Sequence, residues 1–524
     1  MKYNKKRNYF YIIVTCFFTY LIYELSVFYF TDGQFGVPLD DSWIHFRFAE
    51  NFAQGYFFQF NIGEPTSGTT SPLWVVLMAG FSFLSSNFIF NSVFLSGVFH
   101  FLSILFIYKI SLEIFRNYKL ISSYDTIEPE FLALLTTLLT VFAGRFAWAG
   151  LTGMETTMFT FFCLIGVYFH ISNLQRKTFS LIPALLIALA TVSRPEGFLL
   201  FGLYMFDVLL NLWKEKSFKK NILKVLLSVL VFLCITTPYL IFSYNTSGHF
   251  FPNTFEGQGG DFHFLPNLTY LRITVTFFNR DNIVVSLLWL ISIIFYIINL
   301  KKYFTKFKYL NLIFLWIIML PLVSSFIVPN WRHNGRYMIP AIPFINIAAM
   351  YMLMNIFYSI KKIRIKELLT KNKIYVSLIL IFSLMYYGIF AIAIGKNTEN
   401  INDQQVRIAK WFLVNVPRED TIALNDIGAI TYFTKNRIVD MAGLVTPKVL
   451  RYRTYRWEDN LDSLFYLLKK NNVTYIAVYD HWYEGFLKRF SKNFQKVYSA
   501  YLQENTICGG FEMNVYKTKF YNEE

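Results

Sequence analysis

Long apolar segments separated by short polar links form the dominant pattern of this chain. Examples cover residues 9–30, 131–142, 181–191, 225–242 and 376–394. A helix needs about 17–25 mostly apolar residues to cross the hydrocarbon core of a bilayer. Several of these segments reach that length, and flanking residues extend the shorter ones. The pattern therefore predicts a polytopic α-helical membrane protein.

Composition supports this class and narrows the range of partners. Of the 524 residues, 55% are hydrophobic and only 16% are charged, which is outside the range of ordinary soluble domains. The net charge of +16 would suit nucleic acid, but the lysines and arginines lie in the short links between apolar segments. That placement is typical of cytoplasmic loops. We predict no nucleic-acid partner, with basic patches that bind an anionic partner as the alternative.

Placing every basic link in the cytoplasm predicts the course of the chain. Residues 1–395 then form a transmembrane module with about eleven crossings. Residues 31–87 become an outer loop with interfacial helices, in which 71–85 is interfacial or re-entrant. The first apolar segment lacks a signal-peptide cleavage site and stays as the first helix. The predicted crossings lie near 9–30, 88–114, 130–148, 155–172, 179–193, 197–212, 222–243, 283–300, 309–327, 337–358 and 374–395.

The chain changes character in its last part, residues 396–524. The segments "TIALND", "RIVDMAG", "VTYIAVYD" and "FEMNVYK" have the composition of strands. The segments "NDQQVRIAKWFLVNVP" and "EDNLDSLFYLLKKN" have the apolar spacing of amphipathic helices. The last crossing delivers this part to the outer side, so we predict a C-terminal extracytoplasmic α/β domain.

An acidic pair opens the first polar cluster outside the membrane. Asp40 and Asp41 precede residues 42–54, where apolar side chains recur at every fourth position: Ile44, Phe48 and Phe52. That spacing predicts a helix lying on the membrane with one apolar and one polar face. A carboxylate at the lipid surface can accept a proton from an attacking hydroxyl, so both acids are catalytic candidates. The alternative is that one of them only caps the helix.

Arginines at the outer ends of predicted helices suggest the leaving group. Arg194, Arg332 and Arg336 run against the bias that places positive charge in the cytoplasm. Arginine stays charged and binds phosphate through two parallel hydrogen bonds. These residues would therefore bind the phosphate of a lipid-linked donor. The alternative is snorkelling to the interface, or pairing with Glu155 or Glu196.

The remaining polar residues of the outer clusters complete the candidate site. A helix N-terminus explains Glu155 equally well, and a turn explains Asn253. No second histidine stands at metal-ligand spacing from another, so a complete metal site is not predicted. If a divalent cation (Mg, Mn or Ca) takes part, its candidate ligands are Asp41 and Glu155. The substrate-binding candidates are His45, Arg47, Glu155, Arg194, Glu196, Asn253, His333 and Arg336.

These clusters, in this order, resemble the GT-C superfamily of membrane glycosyltransferases. The stretch "DDSWIHFRFAENFAQGYFFQFNIGEPTSGTTSPLW" looks like its arabinofuranosyltransferase- and mannosyltransferase-like members. An acidic pair is followed there by an aromatic–Arg–aromatic helix, a Phe-Asn-x-Gly-Glu turn and a Thr-Ser-Pro-Leu-Trp segment. The segments "GMET", "RPEG", "FPNTF" and "GRYMIPAIPF" match further elements, and "NDIGAITYFTKNRIVDMAGLVTP" is similar to the tail domain. In "NTFEGQG" the chain departs from the pattern, because Glu256 and Gln258 stand where a tyrosine and a lysine are usual.

The resemblance implies the GT-C fold and a glycosyltransferase in the cytoplasmic (inner) membrane, and we expect it to be inverting, by direct displacement at the anomeric carbon. Such an enzyme moves a sugar from a polyprenyl-phosphate donor to a hydroxyl of an envelope glycan, glycolipid or protein on the outer face. The resemblance implies that Asp40, which matches the first acid of the pair, is the general base. It also implies that the outer arginines hold the donor phosphate. A transporter or flippase for lipid-linked sugars, or a non-catalytic assembly subunit, is the alternative.

Overall fold

A computed structural model describes residues 5–121, 128–252, 264–327, 333–359, 373–454 and 460–520. Helices make up the first three quarters of the chain. In chain order they are α1 (Lys5–Phe30), α2 (Asp40–Ala53), α3 (Pro72–Phe81), α4 (Phe88–Ile121), α5 (Pro129–Val141), α6 (Gly144–Ala149), α7 (Thr156–Arg176), α8 (Ile182–Thr191), α9 (Gly197–Lys214), α10 (Phe218–Ser247), α11 (Leu268–Asp281), α12 (Ile283–Ile298), α13 (Leu300–Tyr303), α14 (Lys308–Ile327), α15 (Ile342–Ser359) and α16 (Lys373–Ile401).

Within the described ranges, seven helices are long and apolar enough to cross a bilayer: α1, α4, α7, α9, α10, α14 and α15 with the turn before it. Each coincides with a predicted crossing. Large apolar side chains lie exposed along these helices, as at Phe17 and Leu223. Such surfaces are stable against lipid rather than water. The protein is a multi-pass membrane protein.

Other predicted crossings coincide with shorter apolar helices, and their crossing of the membrane stays a prediction. The segment 130–148 divides into α5 and α6, and α8 has ten residues. At the start of α6, a Cβ on Gly144 would lie 2.6 Å from the main-chain oxygen of Tyr386. Only glycine permits this close approach of two backbones. Helix α3 also has ten residues, a rise of about 15 Å, and its interfacial or re-entrant placement stays a prediction.

The described part of the C-terminal region contains a five-stranded sheet. Its strands are β1 (Thr421–Leu424), β2 (Arg437–Asp440), β3 (Val473–Val478), β4 (Phe494–Tyr501) and β5 (Glu512–Thr518). The order is β2-β1-β3-β5-β4, with β1 parallel to β2 and β3, and with β5 antiparallel to β3 and β4. The flanking helices are α17 (Arg407–Asn415), α18 (Gly428–Thr434), α19 (Pro447–Thr454), α20 (Leu461–Lys470) and α21 (Glu484–Arg489).

The predicted α/β class of this region is confirmed, and four of its strands were predicted. The edge strand β4 was missed because most of its side chains are exposed or half-buried, so it carries a weak apolar signal. Helix α16 runs through residue 395 to Ile401 and continues as a π-helical turn to Val406. The boundary between 1–395 and 396–524 therefore lies within a helix, and the division into two domains stays a prediction.

Helix α2 begins at the acidic pair as predicted, but its predicted polar face is largely covered by protein, while its position on the membrane stays a prediction. Arg47 and Asn51, from the predicted polar face, are buried. The C-terminal region covers that face. Trp43 packs on the rings of Tyr432 and Phe433, with centroids 5.2 and 5.1 Å away. Helical spacing alone does not distinguish burial under a second domain from exposure to water.

Polar contacts fix the same interface. The side-chain amide of Asn61 donates to the main-chain oxygen of Ile438 at 2.9 Å and accepts from its N–H at 3.0 Å. Glu64 accepts from Arg437 at 2.7 Å, and Glu50 forms an ion pair with Lys435. The outer loop and the C-terminal region therefore pack in one defined register.

We expect Gly428→Ala to weaken this interface. A Cβ at Gly428 would clash with the main-chain oxygen of Asp40 and lie 2.7 Å from its carboxyl carbon. Inserting an atom into such a contact typically costs about 1–3 kcal/mol. Thermal unfolding in detergent should show a lower melting temperature. The control is Gly80→Ala, where a Cβ meets no atom within 4 Å. Equal melting temperatures for the two variants would contradict the tight packing.

Candidate active site

A cavity of about 440 Å³ opens where α2, the residues before α7, the residues before α9 and the end of α14 converge. One side of it is charged and the other is apolar. The charged side consists of Asp41, His45, Glu155, Arg194, Glu196 and Arg336. The apolar side includes Phe198, Leu199, Leu320, Val323 and Ile327. Residues that are far apart in the sequence thus line one cavity. The sequence pattern predicted that these polar clusters form one candidate site.

Asp41 and Arg336 form an ion pair at the cavity. The distance from Arg336 Nη1 to Asp41 Oδ2 is 2.7 Å. The Asp41 side chain is 24% exposed, so a substrate can reach it, whereas the Arg336 side chain is buried. Burial alone would lower the pKa of Arg336, but Asp41, Tyr337 and Glu155 together raise it. The guanidinium therefore stays charged.

A second ionic cluster lies behind this pair. Arg194 donates from Nη1 to Glu155 at 2.8 Å and from Nη2 to Glu196 at 2.7 Å. The other Glu155 oxygen lies 3.3 Å from His45 Nε2. The pairing of Arg194 with both acids is the alternative that the sequence left open. The pairing does not remove Arg194 from the site, because Arg194, Glu155 and Glu196 all line the cavity.

The electrostatics of Glu155 follow from these partners. Burial favours the neutral carboxyl, but the close contact with His45 and the charge of Arg194 outweigh it and lower the pKa to about 2. Charge on Arg194 is likewise retained: burial would lower its pKa, whereas Glu196 and Glu155 raise it. Both groups are ionised at neutral pH.

This geometry predicts an acid-sensitive contribution to stability. A carboxylate with a folded-state pKa of about 2 stabilises the fold fully above its ordinary pKa, and the stabilisation is lost as pH falls toward 2. The full effect is about 3 kcal/mol. We expect Glu155→Gln to melt below wild type at neutral pH, with the gap shrinking as the pH falls below about 4.5. A gap that is constant across this range would contradict the assignment.

The segment that carries Arg336 is held by a buried clamp. Asn334 and Gly335 adopt left-handed backbone angles, with φ of 56° and 68°. Arg145 donates to the main-chain oxygen of Asn334 and also to Asp281 at 2.9 Å. Left-handed conformations cost energy at non-glycine residues. Arg145 thus stabilises the turn that directs Arg336 toward Asp41.

Asp40 lies outside the cavity lining and faces the C-terminal region. Its two carboxylate oxygens accept hydrogen bonds from the N–H groups of Gly428 and Ala429, both at 2.8 Å. Asp40 therefore caps α18, while the N-cap of its own helix is Leu39. Burial raises the pKa of Asp40, and the nearby charge of Asp426 raises it further. The alternative that one acid of the pair caps α2 itself is therefore wrong, and Asp40 instead caps a helix from the C-terminal region.

Other predicted site residues lie apart from the cavity or outside the described residues. Arg47 is directed at Glu50, 3.1 Å away, and is not part of the lining. Asn253 and Arg332 fall outside the described residues. The backbone of His333 belongs to the short turn His333–Gly335, and its side chain lies outside the description. The substrate-binding roles of these residues stay predictions.

Several lining residues were not singled out from the sequence. Thr69 lies 3.4 Å from His45 Nδ1, within the "TSGTTSPLW" segment that the resemblance covered. Tyr337 lies beneath both guanidinium groups, 5.1 Å from Arg194 and 5.6 Å from Arg336. Because Tyr337 directly follows Arg336 in the sequence, it could have been predicted to lie near the site. Leu444 comes from the C-terminal region, and nothing in the sequence indicated that this region would reach the cavity.

The candidate metal ligands have cationic partners. Asp41 pairs with Arg336, and Glu155 pairs with Arg194. Across the described residues, no group of three histidine, cysteine or acidic side chains is arranged to hold a metal ion. A divalent cation between Asp41 and Glu155 would face two guanidinium groups. This donor set does not fit a metal site.

Comparison with known families and curated proteins gives little on activity. A family profile described as a domain of unknown function (DUF8728) matches residues 399–516, which is the C-terminal region. No curated protein matches the chain.

Solved structures match nearly the whole chain. Apo ArnT from Cupriavidus metallidurans aligns with a TM-score of 0.59 at 13% identity, covering 97% of each chain. The same protein bound to undecaprenyl phosphate aligns at 0.57 and 14% identity, covering 97% of this chain and 98% of that one. The oligosaccharyltransferase AglB from Archaeoglobus fulgidus, in complex with an inhibitory peptide and a dolichol-phosphate, aligns at 0.57 and 13%, covering 93% of this chain and 73% of that one.

These similarities establish the architecture. The chain has the GT-C fold, with a helical membrane part followed by a C-terminal region that contains a small sheet. The fold that the sequence resemblance implied is confirmed.

Proposed function

We propose that the protein is an inverting glycosyltransferase that moves a sugar from a polyprenyl-phosphate donor to an acceptor hydroxyl. The observation that carries this proposal is the cavity itself, where an accessible carboxylate and two arginines face an apolar wall. Arginines suit a phosphate, and the apolar wall suits the isoprenoid chain attached to it. Structures of this fold bound to undecaprenyl phosphate and dolichol-phosphate support the same donor class.

In this mechanism the acceptor oxygen attacks the anomeric carbon from the side opposite the phosphate. The new carbon–oxygen bond forms as the bond from the anomeric carbon to the phosphate oxygen breaks. The electron pair leaves with the lipid phosphate, and the hydroxyl proton passes to a carboxylate. The configuration at the anomeric carbon inverts.

We assign the base to Asp41 rather than to Asp40. Asp41 lines the cavity, whereas both oxygens of Asp40 accept main-chain hydrogen bonds from α18. The resemblance implied that Asp40 is the base. In this proposal Asp40 instead holds the C-terminal region in place. Adjacent positions at a helix start point in different directions, so only one acid of the pair faces the substrate.

The ion pair between Asp41 and Arg336 couples donor binding to base activation. While the pair is intact, the guanidinium stabilises the ionised carboxylate and lowers its basicity. A donor phosphate competes with Asp41 for Arg336. When the phosphate takes the guanidinium, Asp41 loses its cationic partner and becomes a stronger base. Arg336 then stabilises the charge that develops on the leaving phosphate.

The orientation follows from the basic links. We place the cavity and the C-terminal region outside the cytoplasm, because the lysine-rich links join the opposite helix ends. The acceptor in this setting is a glycan, glycolipid or protein of the cell envelope.

A three-strain comparison by mass spectrometry tests the function. Envelope glycans and glycolipids would be compared between wild type, a deletion strain and the deletion carrying Asp41→Asn. We expect one sugar mass to be lost in both altered strains. If labelled lipid-linked sugar is moved across proteoliposomes but never consumed, the protein is a transporter instead. If the Asp41→Asn strain matches wild type, the proposed chemistry is wrong and an assembly role is favoured.

A further inference from the structure

A second cavity, of about 480 Å³, lies at the opposite ends of the helices that form the active site. Helices α7 and α9 begin beside the first cavity and end beside the second. Helix α14 runs the other way, from Lys308 at the second cavity to Ile327 at the first. The 21 residues of α7 rise about 30 Å. The two cavities are therefore on opposite faces of the membrane module.

Lysines dominate the charged lining of this second cavity. Its lysines are Lys177, Lys220, Lys224 and Lys308. Lys308 pairs with the acidic residue of the lining, Glu215, at 2.6 Å. The other three have no carboxylate within ion-pair distance in the part of the chain that the structure describes. Ammonium groups gathered around one space repel each other, so the arrangement favours an anionic ligand.

The start of α10 adds to this field. Helix α10 has 30 residues and no acidic residue in its first turn. That turn contains Lys220 of the lining, although the positive end of a helix dipole favours anions. The N-cap residue Ser217 lines the cavity, and its buried hydroxyl has no hydrogen-bond partner among the described residues. Unpaired helix N–H groups, a free hydroxyl and lysines together suit the oxygens of a phosphate.

Apolar side chains indicate which kind of phosphate fits. Leu174, Phe179, Val208 and Leu212 line the cavity together with the lysines. The neighbouring Trp213 is 72% exposed, as is usual for tryptophan at the level of lipid headgroups. A free phosphate ion would gain nothing from the apolar residues. A lipid can place its headgroup on the lysines and its acyl chains along the apolar residues.

We propose that this second cavity binds the phosphate headgroup of an anionic lipid from the leaflet opposite the active site. Basic pockets between membrane helices on the cytoplasmic side are suited to such headgroups. This site takes no part in sugar transfer and stands independently of the proposed function. The bound lipid would neutralise the lysines and stabilise the ends of α7, α9 and α14.

Lipid binding to the purified full-length protein tests this proposal. Phosphatidylglycerol, phosphatidylcholine and inorganic phosphate would each be titrated while thermal unfolding and native mass spectra are recorded. We expect phosphatidylglycerol to raise the melting temperature and to bind in preference to phosphatidylcholine. The double variant Lys220→Gln/Lys224→Gln should lose at least about tenfold in affinity, given the charge-assisted contacts removed.

The matched control is Lys216→Gln/Lys219→Gln, which removes two lysines from the same link but none from the lining. Its affinity should equal that of wild type. Lys177→Gln, at the end of a different helix, should also weaken binding. It keeps the proposal testable if the double variant does not fold. Equal losses in control and test variants, no preference over phosphatidylcholine, or binding of inorganic phosphate without lipid would each overturn the proposal.

Discussion

Asp41→Asn should lower kcat for sugar transfer by about 10²–10⁴, the range that a positioned general base contributes. The asparagine keeps the size of the side chain but cannot take the acceptor proton. It also ends the charge pairing with Arg336, 2.7 Å away. Donor binding should be retained, because Arg336 is then free for the phosphate. Steady-state transfer by the purified protein, with donor binding measured separately, would check both expectations.

Asp40→Asn is the control for this prediction. An amide at this position can still accept one of the two hydrogen bonds from α18, so we expect a lower melting temperature and a smaller loss of kcat. The two variants make the same carboxyl-to-amide change at adjacent residues. If Asp40→Asn abolishes transfer in a folded protein while Asp41→Asn retains it, the base is Asp40, as the family resemblance implied.

Arg194→Gln should have the second large effect, on both stability and activity. Arg194 is the partner of Glu155 and Glu196, and its removal leaves buried negative charge unpaired. Breaking a buried ion pair from one side typically costs about 3–5 kcal/mol. We expect a fall in melting temperature together with loss of transfer, because a donor phosphate loses one of its two arginines.

The double variant Arg194→Gln/Glu155→Gln separates the two effects. With both charges gone, much of the stability should return, because the effects of two substitutions on the free energy of unfolding do not add when the residues interact. Transfer should stay low, since the missing arginine is not replaced. A double variant that recovers transfer as well as stability would show that Arg194 is only structural.

Much of the candidate site could be predicted from the chain. The acids, the arginines and Glu155 stand at the ends of apolar segments, and the basic links place those ends on one face. Helix periodicity also predicted that α2 starts at the acidic pair. These features are local, so sequence spacing was enough to find them.

Features that depend on contacts between distant segments could not be predicted. Which acid of the pair faces the cavity depends on α18, nearly four hundred residues later, which takes both oxygens of Asp40. The burial of Arg47 depends on the same interface. The break between α5 and α6 lies where α16 approaches Gly144. Hydrophobic pattern gives the class of each segment but not the neighbour that packs against it.

The most direct measurement is donor turnover in proteoliposomes that hold the purified protein, a polyprenyl-phosphate-linked labelled sugar and an extract of envelope acceptors. We expect wild type to release polyprenyl phosphate and to form a glycosidic bond of the opposite anomeric configuration to the donor, as read by NMR. Asp41→Asn should leave the donor intact. Retained configuration, or full turnover by Asp41→Asn, would contradict direct displacement with Asp41 as the base.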